Sequence, residues 1–107
     1  MSNLRTEISE LINDINKLLL VCQDEDECNR LRMQRQVLTT QLIEVLEQQI
    51  NQSTVKYSKT VESLQKAVSS AKDAKQDLDK VSAAIRKVAS AINKVEGIIR
   101  MGIRFVA

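Results

Sequence analysis

The chain has almost none of the residues that form tight turns in β-sheet proteins. Its 107 residues include no proline and only two glycines, Gly97 and Gly102. A sheet protein needs a turn roughly every 8–12 residues, and those turns are rich in glycine, proline, asparagine and aspartate. Because these turn-forming residues are largely missing, the sequence predicts an all-α protein. Its length is that of one domain, so we treat residues 1–107 as a single helical-bundle domain.

Histidine is absent, and Tyr57 and Phe105 are the only aromatic residues. Histidine is the commonest general base and a frequent metal ligand, and a phosphate-binding loop needs glycines that this chain lacks. We therefore expect no enzyme activity, no cofactor and no metal site. Basic residues without interleaved aromatics, and without a recognised DNA- or RNA-binding motif, do not favour nucleic-acid binding.

Long apolar runs are absent as well. The longest, residues 18–22, has five residues, whereas a membrane-spanning helix needs about 20. The N-terminal stretch MSNLRTEISE has early acidic residues and no apolar core of the signal-peptide kind. We therefore expect a mature chain that begins at Met1 and stays cytoplasmic, unless a dedicated secretion system exports it.

Apolar residues recur every three or four positions in the first half of the chain. Such spacing predicts amphipathic helices with one buried face, here over residues 3–22 and 25–50. Between them, Asp24 and Glu27 have the spacing of a capping box, which marks the start of the second helix. The predicted stripes are Leu4, Ile8, Leu11, Ile15, Leu18 and Cys22, followed by Leu31, Leu38, Leu42, Val45, Leu46 and Ile50.

The apolar stripe of the second half runs from Tyr57 to Ile99, with an irregular step at Ala74. Two layouts fit: one coiled-coil-like helix over residues 54–103, or the same helix broken near 70–76. They predict an antiparallel hairpin or bundle of three or of four helices. A 50-residue helix would be about 75 Å long, against about 30 Å for the first helix. We favour the long helix, whose unpaired part would be covered by a second copy in a homo-oligomer.

Two cysteines, Cys22 and Cys28, flank the first predicted turn. Their spacing fits neither a CxxC redox motif nor half of a four-cysteine zinc site. In a tight helical hairpin the two Cα atoms can approach within the roughly 4.4–6.8 Å that a disulfide requires. The alternative, which we favour for a cytoplasmic chain, is a pair of reduced thiols packed as small apolar groups.

Charge is divided unevenly along the chain. Residues 1–50 hold five basic and nine acidic residues, and residues 51–107 hold eleven basic and five acidic residues. The net charges are therefore −4 and +6. Opposite signs favour contact between the two halves within one molecule.

The chain ends in EGIIRMGIRFVA, which is apolar and cationic after Glu96. An apolar patch left uncovered by a bundle usually marks an interaction site. We therefore predict a protein–protein interaction module that binds a protein partner or itself: an oligomerising adaptor, a chaperone-like protein, or a neutralising partner of an effector or toxin. The alternative is a membrane-surface protein that uses the amphipathic helix 80–106. The predicted partner-binding residues are Ile98, Ile99, Met101, Ile103, Arg104, Phe105 and Val106.

Overall fold

The computed structural model describes the backbone of residues 3–48 and 50–106, and the side chains of residues 3–48 and 50–101. This part of the chain forms four helices and no strand, which confirms the all-α prediction. The helices are α1 (Leu4–Val21), α2 (Glu25–Glu47), α3 (Val55–Gln76) and α4 (Val81–Val106), with a short 3-10 turn (Leu78–Lys80) before α4.

The continuous helix that we favoured over residues 54–103 is wrong, because α3 and α4 are separate helices. The backbone of Asp77 is extended, with φ −142° and ψ 99°. Its carboxylate accepts a hydrogen bond from the N–H of Asp79 at 3.1 Å. Aspartate side chains that bond to nearby backbone compete with helical hydrogen bonds. The break therefore lies at Asp77, just beyond the predicted 70–76.

Three of the helices begin with a side-chain cap. Asn3, Asp24 and Thr54 each accept a hydrogen bond from the backbone N–H three residues later. Such a cap satisfies one of the free N–H groups of the first turn and is worth about 1 kcal/mol. The Asp24 cap is the one that the sequence predicted.

The core is aliphatic, and most of the predicted stripes are buried in it. In α4, Ala84 and Ala91 are fully buried, whereas Ile85 and Ile92 are only partly buried. The buried face of α4 is therefore rotated toward its alanines, which let neighbouring helices approach closely. Two residues of α2 depart from the prediction, since Leu46 is 55% exposed and Leu42 is only partly buried.

Contacts between named residues give the relative directions of the helices. Within the first hairpin, Arg35 of α2 donates to the Oδ1 of Asn16 of α1 at 2.8 Å, while the chain turns at residues 22–24, so the two helices run in opposite directions. Within the second pair of helices, Lys94 of α4 donates to the Oγ of Ser63 of α3 at 2.6 Å, on either side of the turn at residues 77–80.

Two glutamines align α2 with α4. Gln34 donates to the carbonyl of Ile85 at 2.9 Å, and Gln41 donates to the carbonyl of Ile92 at 3.0 Å. Both pairs are 51 residues apart, so α2 and α4 run side by side in the same direction. Among the described residues, α1 packs on α2 and α3, α4 packs on the same two helices, and α1 and α4 lie on a diagonal.

Candidate functional site

Two of the predicted partner-binding residues are buried within the bundle. Ile98 and Ile99 are 3% and 1% exposed and belong to the hydrophobic core. This corrects the prediction that they are available for docking, because both continue the buried face of α4. Met101 is half-buried. Ile103, Arg104, Phe105 and Val106 lie outside the described side chains, although their backbone is helical.

The end of α4 reaches beyond its neighbours. At the offset of 51 residues between α2 and α4, the last residue of α2, Glu47, lies level with Ile98. The Lys56 side chain, in the first turn of α3, lies 3.2 Å from where a Cβ on Gly97 would be. The helix nevertheless continues to Val106, which is about 12 Å past Ile98 at 1.5 Å per residue. We call residues 100–106 the C-terminal extension.

A cleft opens at the same end of the bundle, where α1 begins, α2 ends and α3 begins. Its volume is about 280 Å³, and its lining mixes apolar and polar groups. At its wall, the buried Tyr57 hydroxyl accepts a hydrogen bond from the backbone N–H of Leu4 at 3.0 Å. That bond fixes the start of α1 against the start of α3. We call this the terminal cleft; it is lined by Asn3, Leu4, Arg5, Val45, Leu46, Gln48, Ile50, Gln52 and Tyr57.

The two cysteines lie at the opposite end of the bundle. Cys22 and Cys28 form a disulfide with a Cα–Cα distance of 5.9 Å, so the structure does not contain the reduced thiols that we favoured. Cys22 directly follows α1, where its backbone N–H donates to the carbonyl of Leu18 at 2.9 Å, and Cys28 lies in the first turn of α2. The disulfide therefore closes the α1–α2 turn.

Two carboxylates of α1, Glu7 and Asp14, are buried, and Asp14 lies near lysines of α3. Asp14 is 5% exposed, and its Oδ2 has no hydrogen-bond partner among the described residues. Burial raises the pKa of Asp14, and the nearby positive charge of Lys72 opposes that rise. The ammonium of Lys72 pairs with Glu10 at 3.2 Å, and this hydrogen bond raises the pKa of Lys72. In the described part of the chain, no group of three potential ligands could hold a metal ion.

The sequence analysis missed a row of glutamines on α2. Gln34, Gln41 and Gln48 follow a seven-residue spacing, and the first two donate to backbone carbonyls of α4. Each of the three keeps a buried amide oxygen without a partner among the described residues. The seven-residue spacing was visible in the sequence as a signal of helix pairing, but glutamine is usually placed on an exposed face.

Little of the charge is neutralised between the two halves of the chain. Three ion pairs occur among the described residues, and only Lys72–Glu10 joins the first half to the second. The other two, Lys66–Glu62 and Arg100–Glu96, are pairs one turn apart on a single helix. Contact between oppositely charged halves therefore contributes little to holding this molecule together.

The chain matches no protein-family model, no curated protein and no solved structure. None of the helices in the described residues is both long enough and apolar enough to cross a membrane.

Proposed function

We propose that the protein is a non-enzymatic interaction module that binds another protein, or a second copy of itself, through the C-terminal extension and the terminal cleft at the same end of the bundle. The observation that carries this proposal is the reach of α4 past the ends of α2 and α3. The residues of α4 past the ends of α2 and α3 are the part of the helix that those two helices cannot cover.

The sequence of the extension supports this proposal. Residues 101–106 read MGIRFV, which has four apolar residues in six and no acidic residue. Helices that bind in grooves present apolar anchors on one face, and exposed apolar patches mark interaction sites. An adaptor, a chaperone-like protein and a neutralising partner of an effector or toxin would all use such an anchor.

The compartment is a separate question. The cytoplasm is the compartment that we expect, whereas a disulfide is more typical of an oxidising compartment. The Cys22–Cys28 disulfide lies at the far end of the bundle from the extension. The binding proposal therefore holds in either compartment.

The test is the assembly state of variants of the extension. We expect the 12.1 kDa chain to show a sedimentation mass that rises with concentration, or to form photo-crosslinks to a partner from a probe at position 105. Phe105→Asp should abolish both while circular dichroism stays helical. The matched control is Leu20→Asp, because Leu20 is 85% exposed at the opposite end.

Two results would contradict the proposal. One is an unchanged mass and crosslinking pattern in Phe105→Asp. The other is a wild-type chain that stays monomeric at every concentration and forms no crosslink from position 105.

The membrane-surface alternative has one supporting observation. Arg100 of the extension is exposed, and exposed Lys56 and Val55 lie at the same end. Cationic and apolar groups together favour anionic interfaces. Sedimentation with phosphatidylserine vesicles that weakens as salt rises would support it. Indifference to vesicles would leave protein binding as the function of this segment.

A further inference from the structure

The outer sides of α3 and α4 form a groove that is lined by positive charge. A cleft of about 350 Å³ lies between the two helices near their middle. A second cleft of about 360 Å³ shares Lys94 with the first and continues to the start of α3. We call the two together the basic groove; its cations are Lys56, Lys59, Lys66, Arg86, Lys87 and Lys94.

Most of these cations have no carboxylate partner within the described residues. Lys66 pairs with Glu62 at 3.2 Å, which is the one ion pair found at the groove in this part of the chain. Lys94 donates to the Oγ of Ser63 at 2.6 Å, and Arg86 donates to the Oγ of Ser82 at 3.1 Å. Hydroxyl partners orient these side chains but leave their positive charge in place.

The chain also carries a surface of negative charge, which is opposite to the charge of the groove. Residues 24–27 read DEDE, and they cap and begin α2. Asp24, Glu25 and Asp26 are exposed, and no ion pair involving these four residues occurs in the described part of the chain. We call residues 24–27 the acidic turn.

The acidic turn and the basic groove are kept apart within one molecule. At the offset of 51 residues, Glu27 lies level with Leu78, before α4 begins. In addition, α2 makes no contact with α3 in the described residues. The groove runs from Arg86 toward the other end of the bundle, so the two surfaces cannot neutralise each other inside one chain.

We propose that the acidic turn of one copy binds in the basic groove of a second copy. Complementary charge of this kind aligns partners and speeds their association. Three of the four acidic side chains of the turn are exposed, and the groove that would receive them is lined by lysine and arginine side chains. Because no aromatic residue lines the groove, it lacks the platform on which single-stranded nucleic acids stack. This contact is independent of the C-terminal extension.

Salt is the first test of this contact. Sedimentation of the full-length protein at about 10 mM and about 1 M salt spans Debye lengths of about 30 Å and about 3 Å. We expect a mass of a dimer or more at low salt and of a monomer at high salt. An interaction made by the apolar extension would persist at high salt, so Phe105→Asp and the salt series separate this proposal from the proposed function.

Charge reversal identifies the two surfaces. The groove-reversed variant carries Lys87→Glu and Lys94→Glu, and the turn-reversed variant carries Glu25→Lys and Asp26→Lys. The charge of the six groove cations falls from +6 to +2 in the first variant, and the charge of the acidic turn rises from −4 to 0 in the second, so the attraction between turn and groove weakens in both. We expect the Kd for self-association at low salt to rise about tenfold or more in either variant, since close charge pairs across interfaces are strongly coupled.

Mixing the two variants provides the decisive result. In an equimolar mixture, the unchanged turn of the groove-reversed variant can bind the unchanged groove of the turn-reversed variant, so we expect the association to return. Lys17→Glu with Lys75→Glu, both exposed and outside the basic groove and the terminal cleft, changes the net charge as much as the groove-reversed variant and should leave association unchanged. Circular dichroism checks that every variant is helical.

Three outcomes would overturn the proposal. The first is a mixture that does not associate although both variants are folded. The second is an equal loss of association in the control with Lys17→Glu and Lys75→Glu. The third is a wild-type chain that is monomeric at low salt yet binds a fluorescent DNA duplex or phosphatidylserine vesicles through Lys87 and Lys94, because the groove would then serve another polyanion.

Discussion

The first two helices form one hairpin but are held in place in different ways. Within 18 residues, α1 fully buries Ile8, Leu11, Ile15 and Leu18. The longer α2 fully buries only two large side chains, Leu31 and Leu38. It contacts α4 through glutamine amides. It also exposes several apolar residues, which are Met33, Val37, Ile43 and Leu46.

This difference indicates that α1 is fixed by apolar packing, whereas α2 depends more on specific bonds. Those bonds are the disulfide at one end and the Gln34 and Gln41 hydrogen bonds along its length. A polar contact at a regular spacing specifies register while contributing little net stability. Four experiments can test whether α1 is held by apolar packing and α2 by specific bonds, beginning with the largest expected effect.

Equal truncations in the two helices should have unequal costs. Leu11→Ala in α1 should lower the free energy of unfolding by about 4 kcal/mol, and Leu38→Ala in α2 by about 2 kcal/mol, because less densely packed surroundings relax into a cavity more easily. Urea denaturation followed by circular dichroism measures both. Equal losses would show that α2 is packed as firmly as α1.

Removal of the disulfide should affect α2 more than α1. Cys22→Ser with Cys28→Ser frees a short loop, and we expect a loss of about 2 kcal/mol from loop-closure entropy. Hydrogen exchange should accelerate in the amides of α2 before those of α1. The wild-type protein under a reducing agent is the matched comparison. Uniform acceleration across both helices would contradict the view that α2 depends on the disulfide more than α1 does.

Replacement of the central glutamine should leave stability unchanged or raise it. Gln41→Leu removes a buried amide oxygen that has no partner among the described residues, and it loses a bond to a carbonyl that lies within a helix. We expect a gain of up to about 1 kcal/mol in the free energy of unfolding. A loss of that size would instead show that the glutamine row stabilises α2.

Neutralising Asp14 tests the α1–α3 contact through pH. Burial raises the pKa of Asp14 above its ordinary value of 3.8, so the folded state favours the protonated form. Stability is then lost as pH rises through the raised pKa. We expect Asp14→Asn to have a higher Tm than the wild type at pH 7, and the difference to vanish below the ordinary pKa. A lower Tm at pH 7 would mean that the attraction to Lys72 outweighs burial.

The sequence predicted those features that depend on local periodicity and capping. The buried stripe of α1 and the Asp24 cap follow from spacing alone. The break at Asp77 was displaced from its predicted position, because an irregular step at Ala74 permits both a continuous and a broken helix. The break lies at Asp77, whose carboxylate accepts a hydrogen bond from the backbone N–H of Asp79.

The candidate site was less predictable because it depends on relative helix lengths. Ile98 and Ile99 were assigned to an exposed tail, yet they lie where α3 and α2 still flank α4. Periodicity shows which face of a helix is apolar, but not where its neighbours stop. The same limit applies to Leu46, which follows the stripe of α2 but is exposed near the end of that helix.

The bond between Tyr57 and Leu4 has a practical consequence for handling the protein. It brings the start of α1 to the same end as the extension, so a fusion tag or surface attachment at either terminus would crowd the proposed binding end. Labels and anchors belong at the opposite end, beside the turn at residues 22–24.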